Sequence, residues 1–337
     1  MVTMRDVAAR AGVTKQTVSN VLNNPGIVAP ATVAKVNAAI AELGYVRNLT
    51  ARGLATGKSM IIGFIVPTVS NPFYSEVVEE VEVCLESRGY NLLLCTTRTD
   101  SARAARHLTT LAARSIDGLL VAGDSHVGGQ LPLLDNAAFP YVLCAWETEA
   151  PAKVPMVTID YEWAGYLAGI HLRDLGHRHV AVVADLPAHD ARVRGFRKAM
   201  AESGVRVSDD LIYSAAGGAA AGQAARRAMS EHPDLTAIMA SHDVLALGIL
   251  EETRMLGLSV PAELSLVGID DVMADRHSHP PLTSVALPKR AMARRAVEMV
   301  LDGGGNARHA STVLLVPELV VRASTGAPGP VKSLTAS

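Results

Sequence analysis

Two hydrophobic rhythms divide the chain. Over residues 4–43 apolar side chains recur every three or four positions; from residue 60 onward unbroken apolar runs alternate with amphipathic stretches. The first rhythm predicts short helices. Thr3 reads as an N-cap with Asp6 as its capping-box partner, Val7, Ala8 and Ala11 share one face, and Gly12 ends the helix. Val13 turns inward, Thr14 caps a second helix, and Val18, Val21 and Leu22 form its buried face. Two short helices joined by a tight Gly-containing turn make a helix-turn-helix. A third helix starts near Pro30 and runs through Val33, Val36 and Ile40 to Leu43, with Gly44 as its stop.

The second rhythm predicts an α/β body. Strands read at Ile61–Val66, Asn91–Cys95, Gly118–Val121 and Tyr141–Cys144, with helices at Ser75–Arg88 and Arg103–Ser115 between them. The alternation resumes after Asp160: a helix at Ala164–Leu175, a strand at His179–Ala184, a helix at Val193–Ser203, a strand at Ala237–Ala240, a helix at Leu245–Leu256 and a strand at Ser265–Ile269. That is the βαβ pattern of two doubly wound parallel-sheet subdomains. In such sheets a ligand meets the C-terminal ends of the strands. The segments to watch are therefore Asn71–Tyr74, Cys144–Glu147, Asp185–Arg192, Ser241–Asp243 and Asp270–Asp271.

Charge sharpens the division. Residues 1–58 hold Arg5, Arg10, Lys15, Lys35, Arg47, Arg52 and Lys58 against Asp6 and Glu42, a net of +5 in a chain whose total is −2. A basic head on an acidic body points the head at a polyanion. On the second helix Lys15, Gln16 and Asn20 project opposite the apolar face, where a recognition helix meets the major groove. Gln and Asn pair bidentately with adenine and Lys reaches guanine, while the hydroxyls of Thr14, Thr17 and Ser19 suit phosphate oxygens.

Composition excludes other classes. With 49% hydrophobic and 19% charged residues the chain is globular rather than disordered. No apolar run spans a bilayer, and the charged N-terminus lacks a signal peptide's apolar block, so a cytoplasmic protein without membrane contact is expected. Cys84, Cys95 and Cys144 have no metal-ligand spacing and read as reduced structural residues. No P-loop, metalloprotease motif, dinucleotide fingerprint or nucleophile elbow occurs. Ser241, His242 and Asp243 are contiguous, so their side chains diverge and form no triad by themselves. No enzyme, cofactor or metal is expected.

The stretches "MRDVAARAGVTKQTVSNVLN", "ELGYVRN" and "ARGLATGKS", followed by "IGFIVPTVSNPFYSEVVEEVE", "HLRDLGHRHVAVVA", "RVRGFRKAM", "LSLVGIDD", "PPLTSV" and "PELVVRAST", resemble the lactose-repressor (LacI/GalR) family of bacterial transcription regulators over about residues 2–326. The resemblance implies a helix-turn-helix head at 1–46 and a hinge and linker at 47–59. An effector-binding core of the bilobed periplasmic-binding-protein fold follows at 60–326, one lobe from about 60–160 and 288–318 and the other from 161–287 and 319–326. A disordered tail closes the chain at 327–337. Three crossings between lobes are expected, near Asp160, Pro288 and Glu318.

The same resemblance implies that Asn48–Ala55 folds on the operator and that Leu54 wedges into the minor groove, with Asn48 also at the DNA. Gly53 weakens that helix by about 1 kcal/mol relative to Ala. In the cleft the resemblance implies Phe73, Tyr74, Arg192 and Asp270 as effector residues, and the strand-end segments add Asn71, Trp146, Asp190 and His242. Arg192 and Asp270 would clamp vicinal hydroxyls while Phe73 and Trp146 cover an apolar sugar face. Three departures reshape the pocket: His242 stands where Asn is usual, Ala145 replaces a common Asp, and Gly217 lies near an often aromatic wall position. His189, Asp190 and His242 read most plainly as polar lining, with an anionic or sugar-acid ligand left open. The reading is a ligand-responsive repressor on a pseudopalindromic DNA operator. One recognition helix reads half a site, and the tail after Ser324 has no heptad, so a homodimer is expected. A cytoplasmic solute-binding module without DNA function is the alternative.

Overall fold

The computed structural model describes residues 2–46, 57–114, 116–123, 127–134, 137–147, 154–302 and 311–329. They form two compact units, Met1–Ser59 and Met60–Ser337. The head holds three helices, α1 (Met4–Ala11), α2 (Lys15–Asn23) and α3 (Pro30–Leu43). The expected caps are made. Thr3 Oγ1 accepts from the Asp6 amide while the Asp6 carboxylate accepts from the Thr3 amide, and Thr14 Oγ1 accepts from the Thr17 amide. Gly12 ends α1 at φ 66°, a conformation costly for a side chain with a Cβ. Val7, Ala8, Val18, Val21, Val36 and Ala39 form the buried core, joined by partly buried Leu22, Val33 and Ile40.

The body contains two six-stranded sheets. The first runs in the order β11–β5–β4–β3–β1–β2, built from β1 (Ile61–Val66), β2 (Asn91–Thr96), β3 (Gly118–Ala122), β4 (Tyr141–Cys144), β5 (Met156–Ile159) and β11 (Thr312–Leu315). The second runs β12–β10–β9–β8–β6–β7, from β6 (Val180–Ala184), β7 (Ile212–Ser214), β8 (Ala237–Ala240), β9 (Ser265–Asp270), β10 (Thr283–Ala286) and β12 (Glu318–Val320). Every pairing is parallel except β10 with the edge strand β12. Central strands such as VAVVA are buried along their whole length, because helices cover both faces. On the first sheet these are α4 (Pro72–Glu86), α5 (Ser101–Ala112) and α10 (Lys289–Leu301); on the second, α6 (Tyr161–Asp174), α7 (Asp190–Ala201), α8 (Gly218–Glu231) and α9 (Asp243–Met255).

The chain passes from the first sheet to the second at Asp160, returns at Pro288, and crosses again between β11 and β12. Strands β5, β7, β10, β11 and β12 and helices α8 and α10 had no counterpart in the hydrophobic pattern. Residues 327–329 fall at the start of the expected tail. The Gly326 amide donates to Ser265 Oγ at 3.0 Å, and a Cβ on Gly329 would stand 1.9 Å from the Ala262 carbonyl oxygen, so this segment lies against the body. Cys84, Cys95 and Cys144 are all free, and burial pushes the Cys144 thiol up to about 12, which leaves it inert. No helix among the described residues is long and apolar enough to cross a membrane.

Candidate functional site

The head presents one polar face. Lys15 and Gln16 are exposed on the first turn of α2, and Thr17, Ser19 and Asn20 are half-buried behind them. Gln16 Nε2 donates to Asn20 Oδ1 at 3.1 Å, which aligns the two amides one helical turn apart. Thr14 is already spent on its cap and on the Thr17 hydroxyl 2.9 Å away. Asn48 and Leu54, with the rest of the expected hinge helix, lie outside the described residues.

The body presents a cleft of about 450 Å³ at the C-terminal ends of both sheets. From the first lobe come Thr68, Asn71, Phe73, Tyr74, Ala145 and Glu147; from the second come Asp185, His189, Arg192, His242 and Asp270. Asn71 caps α4 by accepting from the Phe73 amide at 3.0 Å, which fixes the first turn that carries Phe73 and Tyr74. Their rings meet edge to face at 5.2 Å between centroids. Ala145 at φ 48° and Asp270 at φ 129° hold left-handed backbone at the ends of β4 and β9, a cost typical of functional sites.

Arg192 is the centre of the site. It is only 4% exposed. Its Nε donates to both Glu147 oxygens at 3.1 and 3.2 Å and its Nη2 to Glu147 Oε2 at 3.0 Å. Nη1 donates to the Ser241 carbonyl at 2.6 Å and to Asp270 Oδ1 at 3.4 Å, and the guanidinium stacks 4.8 Å from the Tyr161 ring centre. Burial opposes this charge, but Glu147 and then Asp270 outweigh it and hold the guanidinium above its ordinary pKa. Burial pushes Asp270 up to about 7 even though Arg192 pulls it down. Burial, reinforced by Arg192, drives His189 well below its usual value and His242 to about 3, so both imidazoles are neutral. Ser241 Oγ accepts from the Asp185 amide at 3.1 Å and lies 2.9 Å from His189 Nδ1. Its own proton can go to that nitrogen, which places the His189 proton on Nε2.

Asn71, Phe73, Tyr74, Arg192, His242 and Asp270 therefore stand together, but Trp146 and Asp190 do not line the cleft. The left-handed turn at Ala145 sends Glu147 into the cleft and Trp146 back into the core with Leu131, Leu143 and Met156, at 2% exposure. Asp190 opens α7 on its outer side and pairs with Arg194 at 2.6 Å. Glu147 and Tyr161 are the residues missed. Glu147 lay inside a segment already marked as a strand end, but nothing local distinguishes it from its tryptophan neighbour. Asp243 accepts from Ser284 Oγ at 2.8 Å, and Asp271 pairs with Arg322; both hold the second lobe together. Among the described residues no cluster of His, Cys, Asp or Glu is placed to hold a metal.

A capped helix-turn-helix followed in one chain by a two-lobed, parallel-sheet body defines a class, the DNA-binding regulator of transcription with a periplasmic-binding-protein-like body. Residues 3–48 match the family described as "Bacterial regulatory proteins, lacI family", and residues 170–325 match a "Periplasmic binding protein-like domain". The transcriptional regulator DegA of Bacillus subtilis is 32% identical over 329 residues, spanning 96% of this chain and 98% of its own. The transcriptional repressor PurR of Aliivibrio fischeri is 34% identical over 332 residues with the same coverage. Among solved structures, a lac repressor dimer bound to operator and the anti-inducer ONPF superposes with a TM-score of 0.84 at 26% identity, covering 97% of this chain and 99% of that one. A regulator CelR in complex with cellobiose gives 0.72 at 31% identity, with 96% and 100% covered. The chain belongs to the lacI family of bacterial regulatory proteins. It is a transcriptional regulator and not an enzyme.

Proposed function

We propose that this regulator binds a pseudopalindromic operator as a homodimer and that a small sugar-like effector in the interlobe cleft changes its affinity for DNA. The observation that carries the reading is the polar face of a capped helix, with Lys15 and Gln16 exposed and Asn20 half-buried beside them, in the same chain as a buried, charged cleft. Lys15, Gln16 and Asn20 read base edges while Thr17 and Ser19 bond phosphates, and Thr14 acts chiefly as the cap. Asn48–Ala55 folds on the operator with Leu54 in the minor groove. In the cleft the Phe73 and Tyr74 rings offer a face to sugar C–H groups, and Asp185 and Asp270 offer acceptors to its hydroxyls. The regulator found with cellobiose supports a carbohydrate effector. A solute-binding module without DNA function has no use for the head.

Selection of bound duplexes from a random pool, followed by fluorescence anisotropy, tests the operator. Gln16→Ala is expected to cost about 1–3 kcal/mol on the selected site and to relax preference at one base pair. Equal losses on selected and scrambled DNA would reduce Gln16 to a phosphate contact. Leu54→Ala is expected to weaken operator binding and to leave effector affinity of the free protein unchanged. A thermal-shift screen of sugars (cellobiose included), sugar acids and nucleobases tests the cleft, since a ligand of the native state raises the melting temperature by mass action. Hits confined to nucleobases would refute the carbohydrate reading.

A further inference from the structure

Among its described lining residues the cleft contains one fixed cation, and it is already taken. Among the described lining residues Arg192 is the sole Lys or Arg, against Glu147, Asp185 and Asp270, and both histidines are neutral. The residue that takes it comes from the other lobe. Glu147 follows β4 of the first sheet and Arg192 lies on α7 against the second, so the bidentate pair spans the cleft. Both side chains are under a tenth exposed, at 5% and 8%. The remaining Nη1 donors face the Ser241 carbonyl and Asp270, so little of the guanidinium fork is left for a ligand.

We infer that Glu147 sets the charge class of the effector: by occupying Arg192 across the cleft it bars anionic ligands and selects a neutral, polyhydroxylated one. The inference rests on the reading of the cleft as the effector site. Its physical basis is simple. A bare buried guanidinium is a receptor for carboxylate or phosphate, because its planar fork matches two oxygens. A guanidinium capped by a carboxylate presents alternating donors and acceptors with no net positive charge. A carboxylate arriving there would face Glu147, Asp185 and Asp270 at short range in a poorly solvated site, where like charges repel strongly. A hydroxyl does not pay that repulsion, since it can donate to a carboxylate oxygen and accept from a spare N–H. His242 adds a neutral polar group, with an Nδ1 that has no partner among the described residues. The open possibility of a sugar-acid effector is thus closed by a residue that no single-residue reading of Arg192 would include.

Sulfate is the probe, because it matches a free guanidinium fork whatever the natural effector is. Calorimetric titration of millimolar sulfate into the full-length protein is expected to show no saturable site in the parent. In Glu147→Ala it is expected to show one site at least tenfold tighter than any residual parental binding, lost again in Glu147→Ala/Arg192→Met. Should Glu147→Ala fail to fold, Glu147→Gln keeps the volume and must show the same gain. If the folded variant binds sulfate no better than the parent, Arg192 has swung onto Asp270 and the inference is wrong; saturable sulfate binding by the parent that Arg192→Met abolishes also overturns it. The gain that Arg192→Met abolishes reads only the guanidinium, whatever sulfate the basic head takes up. The assay can therefore succeed while every sugar fails in the thermal-shift screen, and a sugar can bind while sulfate does not, so the two readings fall separately.

Discussion

Replacing Arg192 by methionine is expected to destabilise the body by about 3–5 kcal/mol at neutral pH, the range for removing one partner of a buried ion pair. The substitution leaves the Glu147 and Asp270 carboxylates facing each other with 8% and 3% side-chain exposure, and leaves the Ser241 carbonyl without its 2.6 Å donor. Methionine fills most of the volume against Tyr161, so the loss is electrostatic rather than a cavity. The effect has a pH sign. Asp270 already has a folded pKa raised to about 7, above the value of an exposed aspartate. A raised carboxyl contributes stability that is present at low pH and lost as pH rises through the folded pKa. Without Arg192 the folded value climbs further, so parent and variant differ in bound protons chiefly above pH 7, and the deficit of the variant is expected to widen as pH rises from 7. Urea unfolding followed by the fluorescence of Trp146 and Trp163 measures both quantities. A midpoint equal to the parent's at pH 7 would mean that the carboxylates are hydrated and the arginine serves ligand alone.

Gly165→Ala is expected to be nearly as damaging, although it adds a single carbon. Helices α6 and α7 cross with their backbones touching: a Cβ on Gly165 would lie 1.8 Å from the Arg192 carbonyl oxygen, and one on Gly195 would lie 1.8 Å from that of Glu162. No rotamer change relieves a clash with backbone, so the helices must move apart. The cost belongs at or above the upper end of the roughly 1–3 kcal/mol seen for overpacked cores. Because the atom struck belongs to Arg192, effector binding should weaken together with stability. Gly129→Ala, where nothing stands within 4 Å of the added carbon, is the control and should remain within about 0.5 kcal/mol of the parent. Thermal unfolding of the two variants side by side decides the matter, and equal melting temperatures would show that the crossing has slack.

The head and the central strands were readable from the chain because their determinants are local. Thr3 with Asp6, Thr14 with Thr17, and the left-handed Gly12 act within a turn or two, and the apolar spacing of α1 to α3 selects the buried face without reference to anything distant. Runs such as IIGFIV and VAVVA announce strands covered on both sides. Edge elements were silent for the converse reason. Strand β11 has half-exposed residues and only one neighbour, and α10 reads as a charged segment because its outer face carries so many arginines. The strand-end rule found the right segments of the cleft but could not choose within them. Trp146 or Glu147 faces the cleft according to one dihedral angle at Ala145, and Asp190 or Arg192 according to which side of α7 meets the second sheet. By itself the sequence determined the helix-turn-helix, the parallel-sheet character of the body and the arginine at its cleft. Only the tertiary structure decided what that arginine holds, because Glu147 is 45 residues away along the chain, beside the other sheet, and meets it only in the folded body.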